Sequence, residues 1–577
     1  MTIPILILLF PLLASIFIRV FGNRMLSHVA KAGVIATTIS FFLAVWVLYH
    51  VSVEGAVHIM LWPPNSESSS IFKIGMLVDR LAAVMMVLIT SVSIVIHVYS
   101  IRYLEGDPGY ARFFALLSFM TFVILSLVSS PNLFMLFVFW QLLSLALYLI
   151  LAFNFPNRPA CRNAFKTFFA HRIGDASFLC GIFLAYKYFG TLEFNELFRL
   201  ATEQPQMISI FSGMFNISAV TAIALLVFVG AIAKSSQFPL HVWLPDTMDS
   251  PTPVSALMHA GIVNAGGFLL NRLAPFYGLT PNTLHIVFVV GLLTVVMGAS
   301  MMLAQNDIKK TLGFSTMAQM GYMIMECGLG AFALAIFHLI AHGLFKASLF
   351  LHSGQGIHTS REEPEFPDPS AHEVKISFDQ LSFFTGLIIT LVLPLIILMV
   401  AHDMLNIPLQ NAHGAVILLF FAWVTTSQVM FSLFRFHAVA SWKISSAMIV
   451  SLFFIGFTYL WAAEAFTHFL YPGAGVADGF FIAAALNPIV FDLLVLLATL
   501  LILISWIYVY ADSKGQKIFI VQWINSIKKR LYMLLINRFY IDLSYERWSR
   551  NILRLACLLY TSPSPRDATL SRMPSSA

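Results

Sequence analysis

Lys234 closes the apolar run 215–233, in the stretch Ala-Ile-Ala-Lys234-Ser-Ser-Gln-Phe-Pro239. An unpaired ammonium inside a bilayer costs about 2.5 kcal/mol or more, so a lysine at that depth is a functional-site hypothesis by default. His259, His338, His342 and Lys346 fall in later apolar runs, and Arg172 with Asp175 falls in an earlier one. A series of ionisable groups at membrane depth is what a proton path needs. Burial disfavours the charged form of a lysine, which lets Lys234 release and regain a proton. The competing reading of Lys234 is a side chain that snorkels from a helix end to the interface.

Spacing sharpens the series. His338, His342 and Lys346 recur every four residues in Phe-His338-Leu-Ile-Ala-His342-Gly-Leu-Phe-Lys346 and so share one helical stripe. Neighbours on it lie about 6 Å apart by helical rise, close enough to pass protons through intervening water. Two histidines at that spacing could instead hold one metal ion, but Lys346 is a poor neighbour for a cation and the stripe carries no carboxylate. Core histidines hydrogen-bonded to serine or backbone are the plainer alternative. Arg172 and Asp175 are three apart, share a face and can pair, which would also serve as a purely structural ion pair. Trp140-Gln141 interrupts the apolar segment 131–152, and His259 begins the helix after the proline-rich stretch, where it could lie near Lys234.

These groups need a membrane around them, and composition supplies it. The 577 residues are 59% hydrophobic and only 10% charged, against roughly 25% charged in soluble proteins. The fold expected is an all-α polytopic membrane protein. A ruler of about 20 apolar residues per span gives about fifteen transmembrane helices, among them 77–101, 215–235, 378–401 and 480–511. Residues 1–21 read as a retained first span, since no basic n-region or cleavage site marks a signal peptide. Lysine and arginine counting puts the amino terminus outside, with Arg24, Arg102, Arg112, Arg158, Lys309, Lys310 and the tail from Lys514 inside; Lys73, Lys187, Arg199 and Arg272 are exceptions. The net charge of +6 belongs to this bias, and no nucleic-acid partner is expected. Cys161, Cys180, Cys327 and Cys557 stand alone, so neither redox cofactors nor structural metal are expected, and no catalytic redox site.

Two spans are interrupted. Pro239, Pro245, Pro251 and Pro253 punctuate residues 234–253, and Pro394 falls within the expected span 378–401, five spans further on. Broken helices at corresponding positions of two halves suit an inverted-repeat transporter with its working site beside the breaks. The expected organisation is amino-terminal helices in 1–111, a first five-helix repeat in 112–272, a second in 283–436 and carboxyl-terminal helices in 443–511. Residues 353–377 read as an exposed inside loop joining the halves. Residues 512–559 form a basic tail, either a helix on the membrane lipids of the inner leaflet or an ordinary polar connection. Residues 560–577 break the pattern abruptly and read as non-native.

The text carrying these residues resembles a known family. Gly109-Tyr-Ala-Arg-Phe-Phe114, Lys234-Ser-Ser-Gln-Phe-Pro-Leu-His-Val-Trp-Leu-Pro-Asp246, Ser250-Pro-Thr-Pro-Val-Ser-Ala-Leu-Met-His259 and Phe314-Ser-Thr-Met-Ala-Gln-Met-Gly-Tyr322 resemble the antiporter-like subunits of respiratory complex I, in its subunit L (mitochondrial subunit 5) branch, and of Mrp antiporters. The resemblance covers residues 75–355 most strongly. It implies fourteen or more helices in two inverted five-helix repeats, each with a broken helix, and proton translocation with Lys234 as the switching base and His259, His338, His342 and Lys346 as relay. Two departures stand out: the family's acidic residue after the fifth-helix tryptophan is Gln141, and the second break lacks the Gly-Phe-x-Ser-Lys-Asp text, leaving Pro394 with His402 and Asp403 beyond it.

Residues 259–270 and 327–338 look more like the DabB branch, whose members are the membrane partner of a large zinc-containing DabA protein in an inorganic-carbon accumulation complex. The leading expectation is therefore a proton-conducting subunit of an energy-coupled inorganic-carbon pump in a bacterial inner membrane. The rivals are a complex I subunit L or Mrp subunit working beside other membrane subunits, at most one part of an NADH:quinone oxidoreductase, and a non-conducting scaffold paralogue motivated by Gln141. A haem-binding helical bundle is a distant further alternative.

Overall fold

The computed structural model describes residues 3–22, 24–63, 73–210, 215–362, 461–473, 475–513 and 519–545, with single positions at 392, 396, 450, 454, 458, 547 and 551. Pro394, His402 and Asp403, the second repeat beyond residue 362, most of the 353–377 loop, Lys514 and residues 560–577 lie outside the described residues.

Apolar runs become helices here because a membrane leaves each backbone amide only its own helix as partner. They are α1 (Ile3–Phe21), α2 (Leu26–Glu54), α3 (Arg80–Tyr103), α4 (Tyr110–Val128), α5 (Leu133–Leu151) and α6 (Arg158–Phe189). After a short surface helix α7 (Phe194–Glu203) follow α8 (Ala219–Lys234), α9 (Thr252–Ala260), α10 (Ala265–Arg272), a single turn α11 (Ala274–Tyr277), α12 (Pro281–Ala304), α13 (Ile308–Gly328) and α14 (Phe332–Glu362). Among the described residues, nine helical segments are long and apolar enough to cross a membrane, with α9 and α10 counted together as Thr252–Arg272. The chain is a multi-pass membrane protein. Alternating passes gather residues 22, 24–25, 104–109, 152–157 and 305–307 on one face, called here the basic face, and residues 55–63, 73–79, 190–210, 215–218 and 273–280 on the far face.

The chain is not entirely helical. Val57–Trp62 (β1) pairs antiparallel with Ile74–Val78 (β2), and Met207–Ile210 (β3) with Phe215–Ser218 (β4). Both hairpins cap the far face, where the chain reverses between spans and β-branched residues favour extended backbone. They shorten two expected spans. The one expected at 77–101 starts at Arg80, with Asp79 as cap accepting from the Ala82 amide at 2.9 Å. The one expected at 215–235 becomes the 16-residue α8. The span expected at 480–511 is also divided, into Val476–Ala483 and Pro488–Ser513, because Pro488 cannot donate to a preceding turn.

The proline-rich stretch does break the bundle. After α8 the chain runs irregularly to a 3-10 turn, Leu244–Asp249, before α9 begins. Its polar groups are met by protein: the Gln237 amide donates to Ile232 O at 3.0 Å, Phe238 N to Thr294 Oγ1 at 3.0 Å and Trp243 Nε1 to Ala233 O at 2.9 Å. A second interruption was not expected: at Gly261 the helix gives way to a 3-10 turn, Ile262–Asn264, immediately after His259. Ser235 ties the two interruptions together, donating to Val263 O at 2.6 Å and accepting from Gly266 N at 3.1 Å. Gly266 permits that approach, since a Cβ there would lie 2.4 Å from Ser235 Oγ and 2.6 Å from Ala231 O.

Candidate functional site

α8 ends at Lys234, which is fully buried where the regular backbone stops. Its Nζ donates to Trp140 O at 2.7 Å and Ser144 Oγ at 2.6 Å, and lies 4.6 Å from the Trp140 ring centroid. Trp140 and Ser144 are one turn apart on α5, so a single helix face cradles the ammonium. Among the described residues no carboxylate pairs with Lys234 directly. The nearest carboxylate connection is indirect: Trp140 Nε1 donates to Asp175 Oδ1 at 2.7 Å, and Asp175 Oδ2 pairs with Arg172 at 2.8 Å. A lysine held by neutral acceptors can give up its proton without leaving a bare anion beside it.

The residues singled out in the sequence fall into three groups. Around Lys234 stand Asp175, Arg172 and Gln141, joined by a residue the sequence reading did not single out, His171, whose buried ring meets Ser144 Oγ at 3.3 Å. Gln141 is not a partner of the lysine; its Oε1 accepts from Arg172. Position 141 thus faces the arginine, whose planar cation also covers the Phe168 ring at 4.5 Å. The second group is His259, fully buried and stacked on Phe350 of α14 with ring centroids 4.3 Å apart. Neither of its ring nitrogens has a protein partner. α9 and α14 meet closely here because residue 343 is glycine: a Cβ would lie 2.9 Å from Ala260 O.

The third group is the α14 stripe. His338 and His342 rings are 6.1 Å apart, as the four-residue spacing predicts. Lys346, buried, donates to Ser315 Oγ of α13 at 2.8 Å. One member of this group was missed. Glu326 of α13 is fully buried and meets His338 Nδ1 through Oε2 at 3.1 Å. The stripe itself carries no carboxylate, but the facing helix does; the signal was a single acid inside the apolar run 308–327. Gln319 Oε1 takes the other ring nitrogen at 3.0 Å. Among the described residues no cluster of three or more metal-ligating side chains forms. Lys234, His259, His342 and Lys346 are thus buried protonatable groups on α8, α9 and α14; α5 supplies the polar contacts of Lys234 and α13 those of His338 and Lys346, while the ring nitrogens of His259 and His342 have no protein partner.

At the basic face, the 3-10 turn after the break carries a four-membered cluster. Asp246 pairs with Lys166 at 2.6 Å and Arg538 at 2.6 Å, and Asp542 pairs with the same two cations at 3.1 and 2.9 Å. Tyr545 adds a bond from its hydroxyl to Pro239 O at 3.0 Å. Burial works to raise the Asp246 carboxyl, but Arg538 and Lys166 outweigh it and hold the group below the usual carboxylate range.

The arrangement and fold are those of a known class. Residues 130–440 match the family described as NADH:quinone oxidoreductase/Mrp antiporter, TM, and residues 66–114 match NADH-Ubiquinone oxidoreductase (complex I), chain 5 N-terminus. A Halothiobacillus neapolitanus protein described as a probable inorganic carbon transporter subunit DabB1 is 40% identical over 564 residues, covering 96% of this chain and 98% of that one. The chain belongs to this antiporter-like family. The chloroplastic NAD(P)H-quinone oxidoreductase subunit 5 of Carpenteria californica is 41% identical over 57% of the chain, and the match spans 44% of that relative. The fold is shared with a chain of the Mrp complex from Dietzia sp. (TM-score 0.59, 21% identity, 98% of this chain and 61% of that one). It is also shared with one from an archaeal membrane-bound sulfane sulfur reductase (TM-score 0.54, 19% identity, 94% and 99%).

Proposed function

We propose that this chain is the proton-conducting membrane subunit of an energy-coupled inorganic-carbon pump, working with a large zinc-containing partner of the DabA kind. The observation that carries the conducting role is the fully buried Lys234, seated on neutral acceptors at the broken helix. Support for the branch is the 40% identity that runs through nearly the whole of both chains, whereas similarity to the chloroplast oxidoreductase subunit stops at about half of each.

In this reading the basic face is cytoplasmic, the amino terminus lies outside and the membrane is a bacterial inner membrane. Lys234 is the switching base. Asp175 and Arg172 set the field around it through Trp140, with Gln141 fixing the arginine. His259, His342 and Lys346 carry the proton onward across the bundle, with His338 at the far-face end of the stripe. Co-expression with a zinc-site partner in a strain that needs elevated carbon dioxide tests the assignment: growth in air is expected with the wild type and lost with Lys234→Ala while membrane insertion is unchanged. Growth in air with that variant would remove Lys234 as the switch. Co-purification of complex I subunits instead of a zinc protein would favour the oxidoreductase reading.

A further inference from the structure

Glu326 is a buried acid with one oxygen engaged and one without a protein partner: Oε2 meets His338, and Oε1 has none. Such a group is costly in an apolar interior unless it has polar company. That company lies toward the far face. The next residue, Cys327, accepts from Asn271 Nδ2 at 3.6 Å, and Asn271 Oδ1 is again buried without a protein partner. Asn271 also lines a cavity of about 380 Å³ on the far face, together with His58, Asp79 and Arg272. There Arg272 pairs with Asp79 at 2.5 and 3.2 Å and bonds Val128 O at 3.1 Å, while its Nε has no partner. Half-satisfied buried polar atoms at Glu326, at Asn271 against the neighbouring Cys327, and at Arg272 beside an open cavity are the kind of sites that ordered water occupies.

We infer that Glu326 connects the α14 histidines to the far face, with the Asn271 side chain and the Asp79–Arg272 cavity forming the water-filled mouth of that branch. The transfer balances simply. His338, protonated on both ring nitrogens, gives its Nδ1 proton to Glu326 Oε2 and becomes neutral; the resulting carboxylic acid passes a proton to water in the cavity and returns to carboxylate. Reversal of the same steps carries protons inward. The Asp79–Arg272 pair keeps a fixed, compensated charge at the mouth, so a passing hydronium meets no net positive barrier. Position also favours this route: Glu326 is two residues from the far-face end of α13 and His338 six from the far-face start of α14, whereas Lys346 lies deeper.

The inference rests on the proton-conducting reading, and the test separates the two. The full chain is purified with its partner, reconstituted into vesicles holding a pH-sensitive dye, and proton flux is read under an imposed potential. Glu326→Gln is expected to lower flux at least tenfold, with Glu326→Asp retaining a measurable part, and a carboxylic-acid infrared band that responds to bulk pH should vanish in Glu326→Gln. Asn271→Leu, which keeps the branching and heavy-atom count while removing the polar atoms, should also lower flux several-fold. Wild-type flux in an assembled Glu326→Gln complex would overturn the branch. Should that variant fail to assemble, wild-type flux in Asn271→Leu would overturn it equally. Absence of flux in the unmodified complex would instead overturn the conducting reading and the branch with it.

Discussion

At the scale of single residues, the seat of Lys234 decides what substitutions should do. Its two acceptors, Trp140 O and Ser144 Oγ, are buried, and leaving a buried polar group unpaired costs about 1–3 kcal/mol. Lys234→Ala should therefore lower the thermal stability of the solubilised chain modestly while eliminating transport, a split visible when melting and flux are measured on one preparation. Gln141 gives a sharper expectation because its oxygen accepts from Arg172 rather than reaching the lysine. A double-mutant cycle on melting should give a coupling of about 0.5–3 kcal/mol between positions 141 and 172, and close to zero between 141 and 234. Equal coupling to both would mean the glutamine turns. His338, His342 and Lys346 were legible from spacing alone, as was the Arg172–Asp175 pair. Ser144, Trp140 O and Glu326 were not: the first two reach Lys234 from α5 and Glu326 reaches His338 from α13, and one-dimensional spacing carries no information about which helices face each other.

At the scale of elements, the site depends on two interruptions held together by Ser235, and small residues set their separation. A Cβ at Gly266 would meet Ser235 Oγ and Ala231 O at 2.4 and 2.6 Å, so Gly266→Ala must push α10 from α8. Overpacking of this kind costs about 1–3 kcal/mol. Transport should fall by more than stability explains, because the displaced α8 carries Lys234; comparison of flux with melting temperature checks this. Prolines announced the first break in the sequence. The interruption at Gly261 had no such marker, since Ile-Val continues an apolar run, and the tighter turn is held by Ser235 on Val263 O and by Asn264 Nδ2 on Ala260 O. The hairpins escaped notice for a related reason: short apolar runs look alike whether they end a membrane helix or form a strand.

At the scale of the whole molecule, the cluster of Lys166, Asp246, Arg538 and Asp542 joins α6, the break and the chain near its carboxyl end. Its four members are partly buried, with side-chain exposures of 16–32%. Asp246→Asn should cost about 1–3 kcal/mol, since it leaves two cations sharing one carboxylate. The sign of the pH dependence follows from the depressed folded value of Asp246. Its stabilising contribution is full above the ordinary carboxylate range and is lost as pH falls through the folded value. Melting of the wild type across the acid range should show that loss, and Asp246→Asn should flatten the curve. The same scale explains two exceptions in the charge bias. Arg272 is paired with Asp79 and Lys73 with Glu193 at 2.9 Å, so neither is a free positive charge on the far face.

The sequence by itself determined that this is a membrane bundle with ionisable groups at depth, because a bilayer punishes charge and rewards apolar length regardless of how helices are arranged. It also determined the rhythm of the α14 stripe and the first break, which are local properties of helix pitch and proline. Tertiary structure alone decided which acceptor each buried group meets: that Lys234 rests on neutral oxygens, that Gln141 serves Arg172, and that Glu326 faces His338. Those pairings depend on distances between helices far apart in the chain, and such distances are set by packing.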